Sequence, residues 1–252
     1  MKLTGSFPNH ITWRINVLEL SSGQDLFKGK SLRHLKKAFS LLKESNYQFV
    51  FEAVSEELIA QFAPLHRALM LSRGSDFVAN FAKLLAPNQW PYQALSLYEG
   101  SSYIGGMIFR LKEKSINLCY RVLPYKVAFY LPAPLARLSD ILLVDEAIKQ
   151  KKEYYSLGMD RNPYGHYGSV GLANYKLMMN ARPYISSKVA MVDEIEWNGT
   201  NDILAFEGHC GSNSTHVKLC LVDSHSLDKY QFLKKDFLTT DIISASGETL
   251  QW

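Results

Sequence analysis

Apolar and polar positions alternate early in the chain. Ile11, Trp13, Ile15 and Val17 fall on one face of an extended segment over residues 11–20, and Ser21-Ser22-Gly23 stops it. From Ser31 the period changes. Leu32, Leu35, Phe39 and Leu42 recur three and four apart, which predicts a helix. A short strand over 47–54 follows. Ser55, with Glu56 and Glu57 behind it, then reads as a helix start, because a hydroxyl caps free N–H groups and acids favour the positive end of the helix dipole. Leu58, Phe62, Leu65 and Leu69 form the apolar stripe, Pro64 is expected to bend it, and Arg73-Gly74 ends it. Asp76 is expected to cap a further short helix carrying Phe77, Phe81, Leu84 and Leu85.

The period then changes to that of strands. Residues 93–98 and 103–111 flank the turn 99–102 as a hairpin, and Gly105-Gly106 marks a bulge or a close backbone approach. A strand over 115–123, with Ile116, Leu118 and Tyr120 on one side, leads through a loop to an amphipathic helix over 135–152. That helix carries Leu138, Ile141, Leu142, Ala147 and Ile148. An aromatic strand from Tyr154 stops at Gly158 and gives way to a polar, Gly-rich loop that reads as mobile. Leu172, Tyr175, Leu177 and Met179 then carry a helix to Asn180. Strand, helix and strand between 115 and 158 imply a right-handed crossover and parallel neighbours. Beyond Pro183, segments 185–192, 202–207, 217–222 and 237–243 read as β, the first completing the central sheet. The fold class is α/β (α+β), a mixed central sheet flanked by helices. Residues 1–90 supply a strand and helices, 91–195 the core, and 196–252 a β-rich extension.

Composition narrows the function. An apolar content of 47% with 21% charged residues is that of a globular protein with a sizeable core. The net charge of +4 suits an anionic ligand and is too mild for a dedicated nucleic-acid binder. No apolar run reaches the roughly 20 residues of a membrane helix, and the N-terminus lacks the apolar stretch of a signal peptide. Three cysteines, an odd number, point to reduced thiols and a cytoplasmic setting. His209, Cys210, His216, Cys220 and His225 crowd into 17 residues, but no Cys-x-x-Cys or His-x-x-x-His pair is among them and Cys220 sits in an apolar run, so no metal is expected. No P-loop, dinucleotide fingerprint or serine nucleophile elbow is present.

Charge is also uneven. Lys28, Lys30, Arg33, Lys36, Lys37 and Lys43 cover one helical segment with no acid among them. This is either a solvated face or a phosphate-facing patch for CoA, a nucleotide-linked substrate or tRNA. His66, beside an apolar stripe, reads as a packed histidine rather than a base.

The run Tyr-Ser-Leu-Gly-Met-Asp at 155–160, followed by Gly-Leu-Ala-Asn-Tyr-Lys at 171–176, resembles the signature of FemAB-like and BioF2-like acyltransferases of the GNAT superfamily. The likeness extends from about Ser31 to about Pro183. It implies a GNAT-like core and transfer of an acyl or aminoacyl group from an activated carrier, acyl-CoA or aminoacyl-tRNA, to an amine. The acceptor would be a small molecule or a cell-envelope precursor. By this resemblance the donor lies between the splayed ends of strands 115–123 and 154–158. Lys176 would stabilise charge on the reacting carbonyl or a donor phosphate; its bland counterpart is a surface lysine. Asp160 would take the amine proton, or is a solvated loop acid, and His166 is a further candidate for proton transfer. Gly158, Arg161, Ser169, Gly171 and Tyr175 would line the donor site, with Lys36 and Lys37 offering phosphate contacts. One departure stands out. The turn that holds the pyrophosphate in GNAT proteins reads here Phe129-Tyr130-Leu131-Pro132-Ala133-Pro134, with no glycine and two residues that lack an N–H. The competing reading is a non-catalytic GNAT-like module that binds a ligand or a protein.

Overall fold

The computed structural model describes the whole chain apart from residues 77–78, 88, 125–126, 128, 167, 209–214, 245 and 252 and the side chains of 224–226. In chain order the elements are β1 (Lys2–Pro8), β2 (His10–Asn16), α1 (Gly29–Glu44), β3 (Tyr47–Ala53), α2 (Glu56–Ser72), β4 (Tyr92–Glu99), β5 (Ser102–Leu111) and β6 (Ser115–Val122). There follow α3 (Leu135–Lys149), β7 (Tyr154–Arg161), α4 (Val170–Met178), β8 (Arg182–Tyr184), β9 (Met191–Glu196), β10 (Ile203–Glu207), β11 (Thr215–Leu221), β12 (Leu238–Ser244) and β13 (Thr249–Leu250). They form two compact units. One is the continuous segment Asn16–Ser156; the other joins Met1–Ile15 to Leu157–Trp252.

In the continuous unit β3, β4, β5 and β6 are antiparallel neighbours. The start of β7 lies parallel to β6, pairing Ser115 with Tyr154, Ile116 with Tyr155 and Asn117 with Ser156. The crossover expected from the order strand, helix, strand is therefore present, and α3 makes it. Gly105 and Gly106 mark the close approach that the sequence implied. A Cβ on Gly106 would stand 2.8 Å from the Leu95 carbonyl oxygen, and Gly105 adopts φ +152° against Val122. α2 starts at Ser55, whose hydroxyl accepts the Leu58 N–H, and runs through Pro64 to an Arg73-Gly74 end. Beneath it Leu58, Phe62, Phe81, Leu84, Ile108 and Val122 form a core cluster. His66 is buried in it, stacked on Phe62 and edge-on to Phe81 and Tyr120, as a packed histidine should be. The expected helix after Asp76 is one 3-10 turn, Phe81–Leu84, begun by Asn80; Phe77 lies outside the described residues. α3 is not amphipathic. Leu138, Ser139, Asp140, Ile141, Leu143 and Val144 are all buried, so most of its circumference is interior.

In the discontinuous unit β1 pairs with β9 and β2 with β8, both antiparallel, while β10, β11, β12 and β13 form a separate sheet with β11 and β12 parallel. Leu3, Phe7, Ile195, Trp197, Ile203, Ala205 and Cys220 make their shared core. Two strand expectations are corrected here. β7 does not stop at Gly158, which takes φ +87° within the strand, and extended backbone continues to Arg161. Residues 185–190 are not a strand: Ser186 accepts the N–H groups of Lys188 and Val189 in a local turn, and β8 and β9 flank it.

Candidate active site

Four side chains from distant parts of the sequence meet inside the discontinuous unit. β2 alternates with Ile11, Trp13 and Ile15 turned inward, so the Trp13 indole enters the core and its N–H needs an acceptor. It donates to the Tyr164 hydroxyl at 2.7 Å. That hydroxyl in turn donates to Oδ2 of Asp160 at 2.6 Å. The Lys176 ammonium donates to the same oxygen, also at 2.6 Å, and stands 5.9 Å from the centre of the Trp13 ring. Phe206 closes the group edge-on to both Trp13 and Tyr164.

Local sequence explains the positions. Ser169 caps α4 by accepting the Leu172 N–H at 3.3 Å, and Asn180, at φ +58°, follows its end. Ala173, Lys176 and Leu177 share the buried face, while Leu172 points outward. Lys176 is thus an interior residue, 4% exposed, and the surface-lysine reading falls. Asp160 is likewise not a solvated loop acid. It belongs to β7, and its side chain is 15% exposed. Both donors occupy the same oxygen, Oδ2. Burial first, and the Asp160 charge second, push the Tyr164 phenol far above its usual range, so it remains a donor.

Residues 162–164, directly after β7, are tied to neighbouring backbone. Asn162 donates to the carbonyls of Pro8 and Phe206 and accepts the Phe206 N–H. Tyr164 and Leu204 exchange backbone hydrogen bonds, each 3.0 Å. His166 comes next, exposed, on a cleft of about 460 Å³ that Asn9, Asn162, Glu194, Glu196 and Asn198 also line. Of the sequence-derived candidates, then, the fold brings Lys176 and Asp160 into contact and sets His166 in a carboxylate-bordered cleft. Arg161 and Gly171 are exposed, Gly158 and Tyr175 half-buried, and Ser169 serves as the helix cap. Lys36 and Lys37 are exposed on α1, in the other unit.

Sequence reading passed over Trp13 and Tyr164, although a tryptophan at an inward strand position always raises the question of its N–H partner. It also passed over a charge cluster in the continuous unit. Asp140 of α3, fully buried, accepts from the Tyr155 hydroxyl of β7 at 2.6 Å and from the guanidinium of Arg121 on β6. The signal was an acid between Leu138 and Ile141 in an apolar helix, a residue type that is buried only when paired.

The residues that would cradle a pyrophosphate do not fit one. α3 begins at Leu135, directly after Pro134, and Pro132 and Pro134 supply no N–H. Among the described residues no group of three or more His, Cys, Asp or Glu is placed to hold a metal ion. His216 lies between Glu207 and Asp241, each 3.0 Å away, Cys220 is buried in the core, and His209 and Cys210 lie outside the described residues. Among the described residues no helix is long and apolar enough to cross a membrane.

No protein-family profile and no curated protein matches the chain. Solved structures similar to it include the C-terminal DUF2156 domain of a protein assigned as a lysylphosphatidylglycerol synthetase from Agrobacterium fabrum, at 11% identity and a TM-score of 0.49 over 71% of this chain and 59% of that one. Another is L-PGS from Bacillus licheniformis, at 14% identity and a TM-score of 0.48 over 71% of this chain and 58% of that one. The chain therefore spans less than two thirds of the length of either structure.

Proposed function

We propose that the protein is an acyltransferase of the GNAT type, FemAB-like in its motif, moving an acyl or aminoacyl group from an activated carrier to an amine of a small molecule or cell-envelope precursor. The observation that carries this reading is the buried Lys176–Asp160 pair. Both residues belong to the motif on which the resemblance rests, 16 positions apart, and they meet at hydrogen-bond distance. In the reaction the acceptor nitrogen attacks the donor carbonyl, the carrier ester breaks, and the amine proton must go to a nearby base. Asp160 is the residue for that proton, with His166 the alternative in the cleft. Lys176 supplies fixed positive charge for the developing oxyanion, pre-oriented because Asp160 and Trp13 hold it.

Aminoacyl-tRNA is the favoured donor over acyl-CoA. The prolines of the turn before α3 remove N–H groups that a CoA pyrophosphate would use, whereas α1 presents five exposed cations for a polyanionic carrier. A second reading, a non-catalytic module, draws on the depth of the same pair, since a buried ion pair can serve only to fix the fold.

The test is consumption of labelled aminoacyl-tRNA, and separately of acyl-CoA, over a panel of amine acceptors. The wild-type protein should deacylate one donor with acceptor-dependent turnover. The variant Lys176→Met/Asp160→Asn should lose roughly 10²–10³-fold in rate and keep its fold. No acceptor-dependent turnover with either donor would leave the binding module. Full activity in the double variant would remove the pair from the chemistry.

A further inference from the structure

α2 has a second face beside the one that covers the core. Ala60, Ala63, Pro64 and Arg67 recur at i, i+3, i+4 and i+7, the spacing of one helical stripe. Small side chains there leave a furrow of about 410 Å³, with Ala60, Pro64 and Arg67 at its exposed rim and His66, Ala79 and Phe81 as its buried floor. The seven helical steps from Ala60 to Arg67 give it a length of about 10 Å. The floor is aromatic: the His66 ring lies 5.2 Å from Phe81, centre to centre. Burial, and then the charge of Arg73, hold the His66 pKa below its ordinary value, so this floor carries no charge at neutral pH. One end differs. Arg67 is exposed there and makes no ion pair among the described residues.

We propose that this furrow binds a single aliphatic chain ending in an anionic group, the chain lying along Ala60, Ala63 and Pro64 over His66 and Phe81 and the head on Arg67. A wholly apolar occupant would leave the guanidinium unused, and a charged peptide would have to bury polar backbone over an aromatic floor. An alkyl chain buries only methylenes there, and a carboxylate or phosphate matches the planar donor fork of arginine. The site lies in the Asn16–Ser156 unit and is independent of the acyl-transfer reading.

Calorimetric titration of the intact protein with n-alkanoates from hexanoate to dodecanoate, below their micelle concentrations, tests it. Affinity should rise about fourfold per methylene, as burial of each CH₂ dictates, and level off once the furrow is full. Ala63→Phe fills the furrow and should weaken decanoate more than tenfold; Ala60→Phe, at the exposed rim, does the same should the first variant fail to fold. Arg67→Gln should weaken decanoate about tenfold and leave decanol unchanged, the mark of a charge-assisted contact. Decyl phosphate run beside decanoate distinguishes the source, a phosphate-headed lipid if the phosphate binds tighter and a free fatty acid if it does not. Affinity that ignores chain length, decanoate binding unaltered by filling the furrow, or no binding at millimolar decanoate would each overturn the proposal. So would a dimer that Ala63→Phe dissociates without any alkanoate binding, since the furrow would then hold a second copy of this chain.

Discussion

Lys176 shows how a buried charge constrains what a mutation can report. Its ammonium faces an acid at 2.6 Å inside a unit that leaves the lysine side chain 5% and the acid 15% exposed. Lys176→Ala would therefore strand the Asp160 carboxylate, and we expect a loss of about 3–5 kcal/mol in urea unfolding, the range for removing one partner of such a pair. Removing both charges at once should recover most of that. In Lys176→Met/Asp160→Asn the amide oxygen still accepts from Tyr164 and the thioether fills the space of the lysine stem. Stability of the single alanine variant equal to wild type would mean that the pair is solvated in solution. His66 gives a second residue-scale outcome. Its folded pKa is depressed by burial and by Arg73, so the unfolded chain takes up a proton that the folded chain does not. The stability this provides is present above pH 6.5, the ordinary value, and is lost as pH falls below it. Urea midpoints measured between pH 7.5 and 5 should decline, and His66→Leu should flatten that decline.

At the scale of elements, helices and strands with a clear period were legible and those defined by partners were not. α1, α2, α4 and the β4–β5 hairpin follow from spacing and, for α2, the cap Ser55, whereas Ser169, the cap of α4, reads from the family resemblance as a donor-site residue. β1 did not announce itself, because Lys2, Thr4, Gly5 and Ser6 give no apolar alternation; its pairing with β9, 183 residues and more along the chain, makes it a strand. The face of α4 was also misjudged. Leu172 and Tyr175 are the apolar residues a stripe would use, but α4 is rolled so that Ala173 and Lys176 face inward, and the acid waiting at Asp160 is invisible to any local pattern. Where the sequence did signal a constraint, at Gly106, the structure permits a sharp expectation. A methyl group there would press on the Leu95 carbonyl at 2.8 Å and on the Ser96 Cα at 3.0 Å, both backbone atoms in a neighbouring strand. Gly106→Ala should cost about 1–3 kcal/mol as an overpacked site, read by chemical denaturation. An unchanged midpoint would show that β4 can move aside.

For the whole molecule, the instructive fact is that the candidate site draws on both ends of the chain. Trp13 comes from the first fifteen residues, and Asp160, Tyr164 and Lys176 come from beyond residue 156. Motif reading located Asp160 and Lys176, which are close in sequence, and had no means of recruiting Trp13 or Tyr164. Removing Met1–Ile15 should therefore unfold the discontinuous unit, which loses two strands and the fully buried Phe7, Ile11 and Trp13. Residues 16–156 should remain protected. Limited proteolysis followed by mass spectrometry should show cleavage confined to the segment after residue 156, and a synthetic 1–15 peptide should restore its protection. Protection of that segment without the peptide would show that it folds alone.

The same discontinuity has a consequence in time. The segment bearing Ile11, Trp13 and Ile15 leaves the ribosome ahead of its partners, which begin only after the 141 residues from Asn16 to Ser156 have been made. At about 5–20 residues per second that is a wait of roughly 7–30 s. Throughout it, a strand whose apolar face ends up fully buried has no native neighbour, while the continuous unit has ample opportunity to fold. The first fifteen residues are thus the stretch of nascent chain most in need of shelter, and slowing translation downstream of Ser156 should lower the yield of the discontinuous unit while sparing the other.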